Sequence, residues 1–212
     1  MLTKPNFTTM KTIKSIFVVA LAAFSIVAVA GNPGKKAPQT LKVDANASTF
    51  NWLSKKLTGE HNGTVKIQSG NLVTDGSKLT GGDFTIDLST IKDLDIQGDF
   101  AGRLETHLKS ADFFDVAKFP TSTLKITKAV AKGGENYDLT GDLTIKGVTQ
   151  NITFPATVKV SGKTATASAK FDVDRTKFGL TYRSKSFFEN IGDKMIYDNF
   201  TVEVKIVAGA PM

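Results

Sequence analysis

Hydrophobic residues recur at every second position through most of this chain. Phe50 and Trp52 alternate with Thr49 and Asn51, Val65 and Ile67 with Thr64, Lys66 and Gln68, and Phe84, Ile86 and Leu88 with Thr85 and Asp87. A period of two marks a strand with one buried face. Turn chemistry separates these runs at Thr58 to Gly63, Asp75-Gly76-Ser77 and Gly81-Gly82. After a turn at Lys132 to Asn136, Tyr137, Leu139, Leu143 and Ile145 alternate with Asp138, Thr140, Asp142 and Thr144. Val148, Ile152, Phe154, Ala156, Val158 and Val160 then share one parity. A strand that long spans about 44 Å, and Pro155 within it marks a bulge or an edge. Beyond Ser161-Gly162-Lys163 come Ala165, Ala167, Ala169, Phe171 and Val173, and the last run is Ile196, Phe200, Val202, Val204 and Ile206. The pattern predicts an all-β fold of about eight antiparallel strands, an up-and-down sheet closed on itself into a barrel.

One stretch breaks the alternation. Between His107 and Thr127, Phe113, Phe114 and Phe119 crowd together among charges, and Pro120 closes the group. Just before it, Gly98 to Lys109 carries Phe100, Leu104 and Leu108 at four-residue spacing, with Arg103, Glu105 and Lys109 between them. That spacing predicts a short amphipathic helix. Pro120 forbids helix beyond it and biases Phe119 towards extended backbone. Helix, aromatic turn and strand entry in so short a stretch predict a lid at one end of the barrel. An eight-stranded barrel is just wide enough to be filled by its own side chains or to hold one ligand. Alanine alone occupies one parity from Ala165 until Phe171, which leaves volume unfilled if that parity points inward and none if it points outward or under the helix.

Composition narrows the setting. From Met10, Lys11 and Lys14 form a positive segment, Ile16 to Val27 an apolar one, and Ala28-Val29-Ala30 a small-residue cleavage site. Residues 1–30 are therefore expected to be a secretory signal peptide, with cleavage near Ala30 and a periplasmic or secreted product. The apolar run falls short of the roughly 20 residues of a membrane-spanning helix. The nine residues before Met10 fit no targeting pattern, so Met1 and Met10 are both candidate starts. Residues 31–39, rich in Pro, Gly and Lys, read as a flexible leader, and 40–208 as the barrel domain. The chain has no cysteine, which removes disulfides and thiolate sites. Its formal charge of +7 becomes +4 once Lys4, Lys11 and Lys14 are lost, and the cations are dispersed. A nucleic-acid binder carries a clustered basic stripe instead.

Few motifs carry chemistry. Gly162-Lys163-Thr164 lacks the first glycine of a phosphate-binding loop, whose place is held by Thr157, and it joins two strands. Asp93, Asp95, Gln97 and Gly98 open like a calcium loop, but Leu104 stands where a bidentate glutamate is needed. The two histidines, His61 and His107, lack ligand spacing, and without cysteine a zinc site needs two or more carboxylates. No metal and no cofactor are expected. Arg175, beside an aromatic and a glycine in Asp174-Arg-Thr-Lys-Phe-Gly179, either grips an anionic or carbonyl headgroup at the barrel mouth or forms a structural ion pair with a carboxylate such as Asp174 or Asp115.

Four blocks occur together in a telling order: His61-Asn-Gly63; His107-Leu-Lys-Ser-Ala-Asp-Phe-Phe-Asp115 with Phe119-Pro120; Gly141-Asp-Leu-Thr-Ile-Lys-Gly-Val-Thr149; and Asp174-Arg-Thr-Lys-Phe-Gly-Leu180. In order and spacing the chain resembles the YceI-like family from about Leu41 to Val207. The resemblance implies an extended, lipocalin-like, eight-stranded antiparallel barrel with a short helix closing one end. It also implies a non-enzymatic protein that binds long isoprenoid lipids such as quinones or prenyl phosphates, and a possible homodimer. His61, His107, Phe113, Phe114, Phe119, Arg175 and Phe178 fall on family motif positions and are expected ligand-binding residues. Trp52, Phe84, Leu143 and Ile145, on alternating strand positions, are expected to join them. The segment Tyr182 to Phe200 is richer in aromatics than the usual short link to the last strand. The alternatives to carriage are a module that docks an envelope protein and a lipid-modifying enzyme.

Overall fold

The computed structural model describes Met1 and residues 37–209. The expected signal peptide and most of the expected leader lie outside the described residues. The strands are β1 (Pro38–Lys42), β2 (Thr49–Lys56), β3 (Gly59–Asp75), β4 (Lys78–Asp93), β5 (Thr121–Gly133), β6 (Asn136–Ile145), β7 (Val148–Ser161), β8 (Thr164–Asp174) and β9 (Ile196–Ala208), with a helix α1 (Asp99–Lys109) between β4 and β5. Each strand pairs antiparallel with the next from β2 to β9, and β9 pairs back with β2. The sheet is a closed eight-stranded antiparallel barrel with one short helix.

The ninth strand does not add a ninth stave. β3 is long enough to take two partners in line, with Asn51 to Lys56 of β2 along its first part and β1 along Asn71 to Asp75. Between β1 and β2 the chain steps out through Asp44 to Ser48, where Asp44 Oδ1 accepts the N–H groups of Asn46 and Ala47. β1 therefore begins at Pro38, and the last two residues expected as leader are strand because Pro38 and Gln39 pair with Asp75 and Thr74. Gly81-Gly82 is a second difference, lying inside β4 and not in a turn. The strand needs glycine there because a Cβ on Gly82 would stand 2.7 Å from the Asn71 carbonyl oxygen.

Alternation places one parity of every stave inside. Val65, Ile67, Leu72, Ile86, Leu139, Phe154, Val158 and Ile206 form the main buried cluster. Val173, Phe178, Leu180 and Val202 form a second one with Phe113 and Ile145 beneath the lid. The alanine row points inward, with Ala165 buried and Ala167 and Ala169 packed against the main cluster. Pro155, which has no N–H to give, sits where β7 becomes an edge. Pairing between β7 and β8 stops at Ala156 opposite Ala169. Below that point the two strands meet through the stacked rings of Phe154 and Phe171, centroids 4.2 Å apart, and Gln150 of β7 donates to the carbonyl of Lys177, just past the end of β8, at 3.0 Å.

The two ends of the barrel differ. Tight turns at Gly76-Ser77, Gly134-Glu135 and Gly162-Lys163 finish one end. The other carries α1, the aromatic turn and the long link from β8 to β9. α1 forms where the spacing predicts, one residue shorter at its start, and lies against β4, with Glu105 accepting the Asp93 N–H and pairing with Lys92 at 2.9 Å. Leu104 and Leu108 are half-buried, but Phe100 is 66% exposed under Arg103, so the packed stripe is narrower than its spacing implied. Among the described residues no helix is long and apolar enough to cross a membrane.

Trp52 lies flat across the ladder onto Gly63, its register partner, with its indole N–H on the Thr64 carbonyl. A Cβ at Gly63 would stand 1.8 Å from the Lys92 carbonyl oxygen and 2.5 Å from the indole ring. Gly63→Ala is expected to destabilise the barrel by about 3 kcal/mol, at the upper end of overpacking costs. Urea unfolding followed by the fluorescence of Trp52, the sole tryptophan, checks this.

Candidate functional site

Because the staves between Ala165 and Phe171 supply methyl groups where neighbours supply large side chains, the barrel does not fill its own middle. A cavity of about 170 Å³ runs through it towards the lid end. Trp52 of β2, Phe84 of β4, and Leu143 and Ile145 of β6 line it, facing Ala167, Ala169 and Phe171 of β8. Carbon dominates the wall. The buried hydroxyl of Ser122 is already spent, donating to the Thr144 carbonyl at 2.8 Å. Cavities of this size lined by Leu, Ile and Phe stay dry and accept apolar guests.

The lid end is closed by side chains that the end of α1 aims inward. A helix leaves its last carbonyls without intrahelical partners. Here the carbonyls of Leu108 and Lys109 accept the N–H groups of Phe114 and Val116 at 3.1 and 3.0 Å, and Asp115 takes a left-handed φ of 48° to let the chain double back. The turn so made brings Phe113 and Phe114 beside Leu108 at the cavity wall. His107 stands behind them. Its ring meets Phe113 edge-on at 5.1 Å and Tyr182 at 4.7 Å, and its Nε2 lies 3.3 Å from Asp112. His107 therefore positions Phe113 from outside the cavity.

Three more of the expected residues stand away from the wall. His61, near the start of β3, shares the inward parity of Val65 and Ile67 but lies beyond the cavity lining, held by Asp95 at 2.9 Å. The half-buried Phe119 covers the Lys146-Gly147 turn, its ring 2.9 Å from where a Gly147 Cβ would be. Phe178 is 1% exposed and belongs to the core beneath the lid. The expected set omits many of the lining residues, among them Leu108, Ala167, Ala169 and Phe171. The unbroken alanine parity ending at Phe171 was the available signal for three of them.

Arg175 touches the cavity wall and is 3% exposed, but its guanidinium is committed elsewhere. Its Nε donates to the Tyr197 carbonyl at 3.1 Å and one Nη to Ile196 at 3.0 Å, while the other Nη donates to Leu180. Asp198 completes the set at 3.6 Å. The structural reading of Arg175 thus describes its contacts, with Asp198 as the partner in place of Asp174 or Asp115. The residue knits the turn after β8 to the start of β9. Burial pulls its guanidinium below the ordinary value, opposed by the charges of Asp198 and Asp174. For Asp198, burial works to raise the carboxyl, but the hydroxyls of Ser184 and Ser186 and the charge of Arg175 outweigh it and hold it below the usual range.

Arg175→Met strands three main-chain carbonyls and is expected to cost about 3 kcal/mol or more in urea unfolding. Asp198, depressed in the folded state, contributes stability that is complete above the unfolded carboxylate value near about 3.9 and lost as pH falls below it towards the folded value. The urea midpoint should therefore drop on acidification through that window, and by less in Asp198→Asn.

The domain profile described as YceI-like matches residues 41–208. A UPF0312 protein of Pseudomonas putida is 38% identical over 101 residues, covering 48% of this chain and 50% of that protein. A UPF0312 protein of Pseudomonas fluorescens is 34% identical over 124 residues, covering 56% and 62%. The chain thus spans about half the length of the Pseudomonas putida relative. Among solved structures, a polyisoprenoid binding domain from Saccharophagus degradans, implicated in plant cell wall breakdown, superimposes with a TM-score of 0.62 at 18% identity, over 81% of this chain and 98% of its own. BcnA of Burkholderia cenocepacia gives 0.57 at 22%, over 78% and 99%. At these identities the likeness is one of fold, and it agrees with the closed barrel and single helix. With the profile spanning the barrel from its first strand to its last, the chain belongs to the YceI-like family.

Proposed function

We propose that this protein binds the chain of a long isoprenoid lipid, of the quinone or prenyl phosphate type, inside the barrel and carries it through the periplasm or the extracellular space without chemical change. The observation that carries the proposal is the carbon-walled cavity left by Ala167 and Ala169 opposite Trp52 and Phe84. Each methylene-sized group transferred there from water is worth about 0.8 kcal/mol, so a tail of modest length suffices for tight binding. The structural likeness to a polyisoprenoid binding domain supports the choice of lipid. Lys11, Lys14 and the apolar run to Ala30 support export. The tail enters past Leu108, Phe113 and Phe114, and the headgroup stays at the lid end.

A second reading, a module docking an envelope protein, is favoured by Phe187 at 58% exposure and Phe188 at 47% in the link between β8 and β9. Mass spectrometry of the organic extract of protein purified without detergent separates the two. Carriage predicts one isoprenoid per barrel. An empty extract, with no uptake of added quinone or polyprenyl phosphate, would overturn it in favour of docking. Ala167→Phe, which fills the cavity, is expected to lower uptake by at least about tenfold while the far-UV circular dichroism stays that of a β-barrel.

A further inference from the structure

The ladder between β3 and β4 continues past the end of β4. Gly63 pairs with Asp93, and beyond it the Leu94 N–H donates to the Asn62 carbonyl at 2.9 Å. The next step sets Asp95 beside His61, with the Asn62 N–H donating to Asp95 Oδ1 at 2.7 Å and His61 Nδ1 at 2.9 Å from Oδ2. Residues two apart share a face, so Asp93 joins them. One donor atom from each of His61, Asp93 and Asp95 lies within 4.8 Å of the others.

Asp93 makes this more than a group of surface acids. It is 8% exposed. Its Oδ1 accepts the Ile96 N–H at 2.7 Å, whereas its Oδ2 is enclosed and has no hydrogen-bond partner among the described residues. The adjacent cation does not neutralise it, because Lys92 is on the opposite parity and pairs with Glu105. A carboxylate oxygen taken from water and given no partner is costly, and such an orphan calls for an ion or a water.

We propose that His61, Asp93 and Asp95 bind one divalent transition-metal cation, with Zn²⁺ the best match. One imidazole nitrogen and two carboxylates suit zinc with water in the fourth position. Calcium needs six to eight oxygens, and α1, starting at Asp99, takes the chain away before a calcium loop is complete. Donors around one tetrahedral zinc at 2.0–2.2 Å stand about 3.3–3.6 Å apart, so the cluster, whose atoms lie within 4.8 Å of one another, closes on the ion with side-chain movement of about an ångström. Asp95 lies in the segment that feeds α1 while His61 is on β3, so the ion clasps the root of the lid to the barrel wall.

Titration calorimetry of tag-free, chelator-dialysed protein with ZnCl₂ tests the site. The expected result is one Zn²⁺ per chain with a Kd of about micromolar or tighter, a raised Tm, and no comparable response to CaCl₂. Asp93→Asn, which keeps the shape, and His61→Gln should each abolish stoichiometric binding, while His107→Gln should retain it. Far-UV circular dichroism confirms that each variant is folded. Absence of stoichiometric binding by the native chain, binding that survives in folded Asp93→Asn, or binding lost in His107→Gln would each overturn the assignment.

Discussion

Strand β2 is hydrogen-bonded to β3 on one side and to β9 on the other, and this double pairing turns a meander into a ring. Closure removes the free edges that an open sheet exposes. It also decides inside from outside for every residue at once, since a strand in a closed ring cannot slip by one position without reversing all its side chains. Once the ring is shut, the size of its middle depends on which side chains the inward parity supplies. Trp52, Phe84 and Phe154 fill much of it, and Ala167 and Ala169 leave the remainder open. The cavity is therefore a property of the ring and of a handful of small residues on one stave.

At the lid end the polar groups serve mainly to hold the apolar ones in place. Arg175 is consumed by the carbonyls of Leu180, Ile196 and Tyr197, and His107 braces Phe113 with help from Tyr182. A guanidinium with its donors occupied by main chain is a fastening and not a headgroup clamp. The result is a mouth whose inner surface is leucine and phenylalanine and whose outer frame is charged. An apolar chain meets little polar resistance on entering such a mouth, and specificity for its far end is left to the rim.

Much of this was legible in the sequence because alternation is a local signal. The parity of Val65, Ile67, Leu139 and Val202 directly predicted which residues are buried, and the inward alanines followed once the ring was known. What was not legible depended on contacts between distant positions. Nothing local to Pro38–Lys42 announces that it shares a stave with β2, because that requires the full length of β3 as a template. Phe100 follows the helical spacing, yet no element comes to cover it. His61 and Asp95 are separated by most of β3 and β4 and meet only through the register of that hairpin. His61, Phe119 and Phe178 matched family positions, but their side chains brace, cover or fill, and only the folded chain tells these roles apart.

The parting of β7 from β8 at Pro155 gives this cylinder an expansion joint. Where a ladder joins two staves, widening the barrel breaks main-chain hydrogen bonds at about 1 kcal/mol each. Along the panel from Pro155 down to the turn after Asp174, the wall is held by one ring stack, worth about 0.5–1.5 kcal/mol, and by the Gln150 side chain. The wall is therefore easier to part along this panel than along a ladder. Spreading that panel costs one ring stack and one side-chain hydrogen bond and breaks none of the ladders that keep the barrel shut.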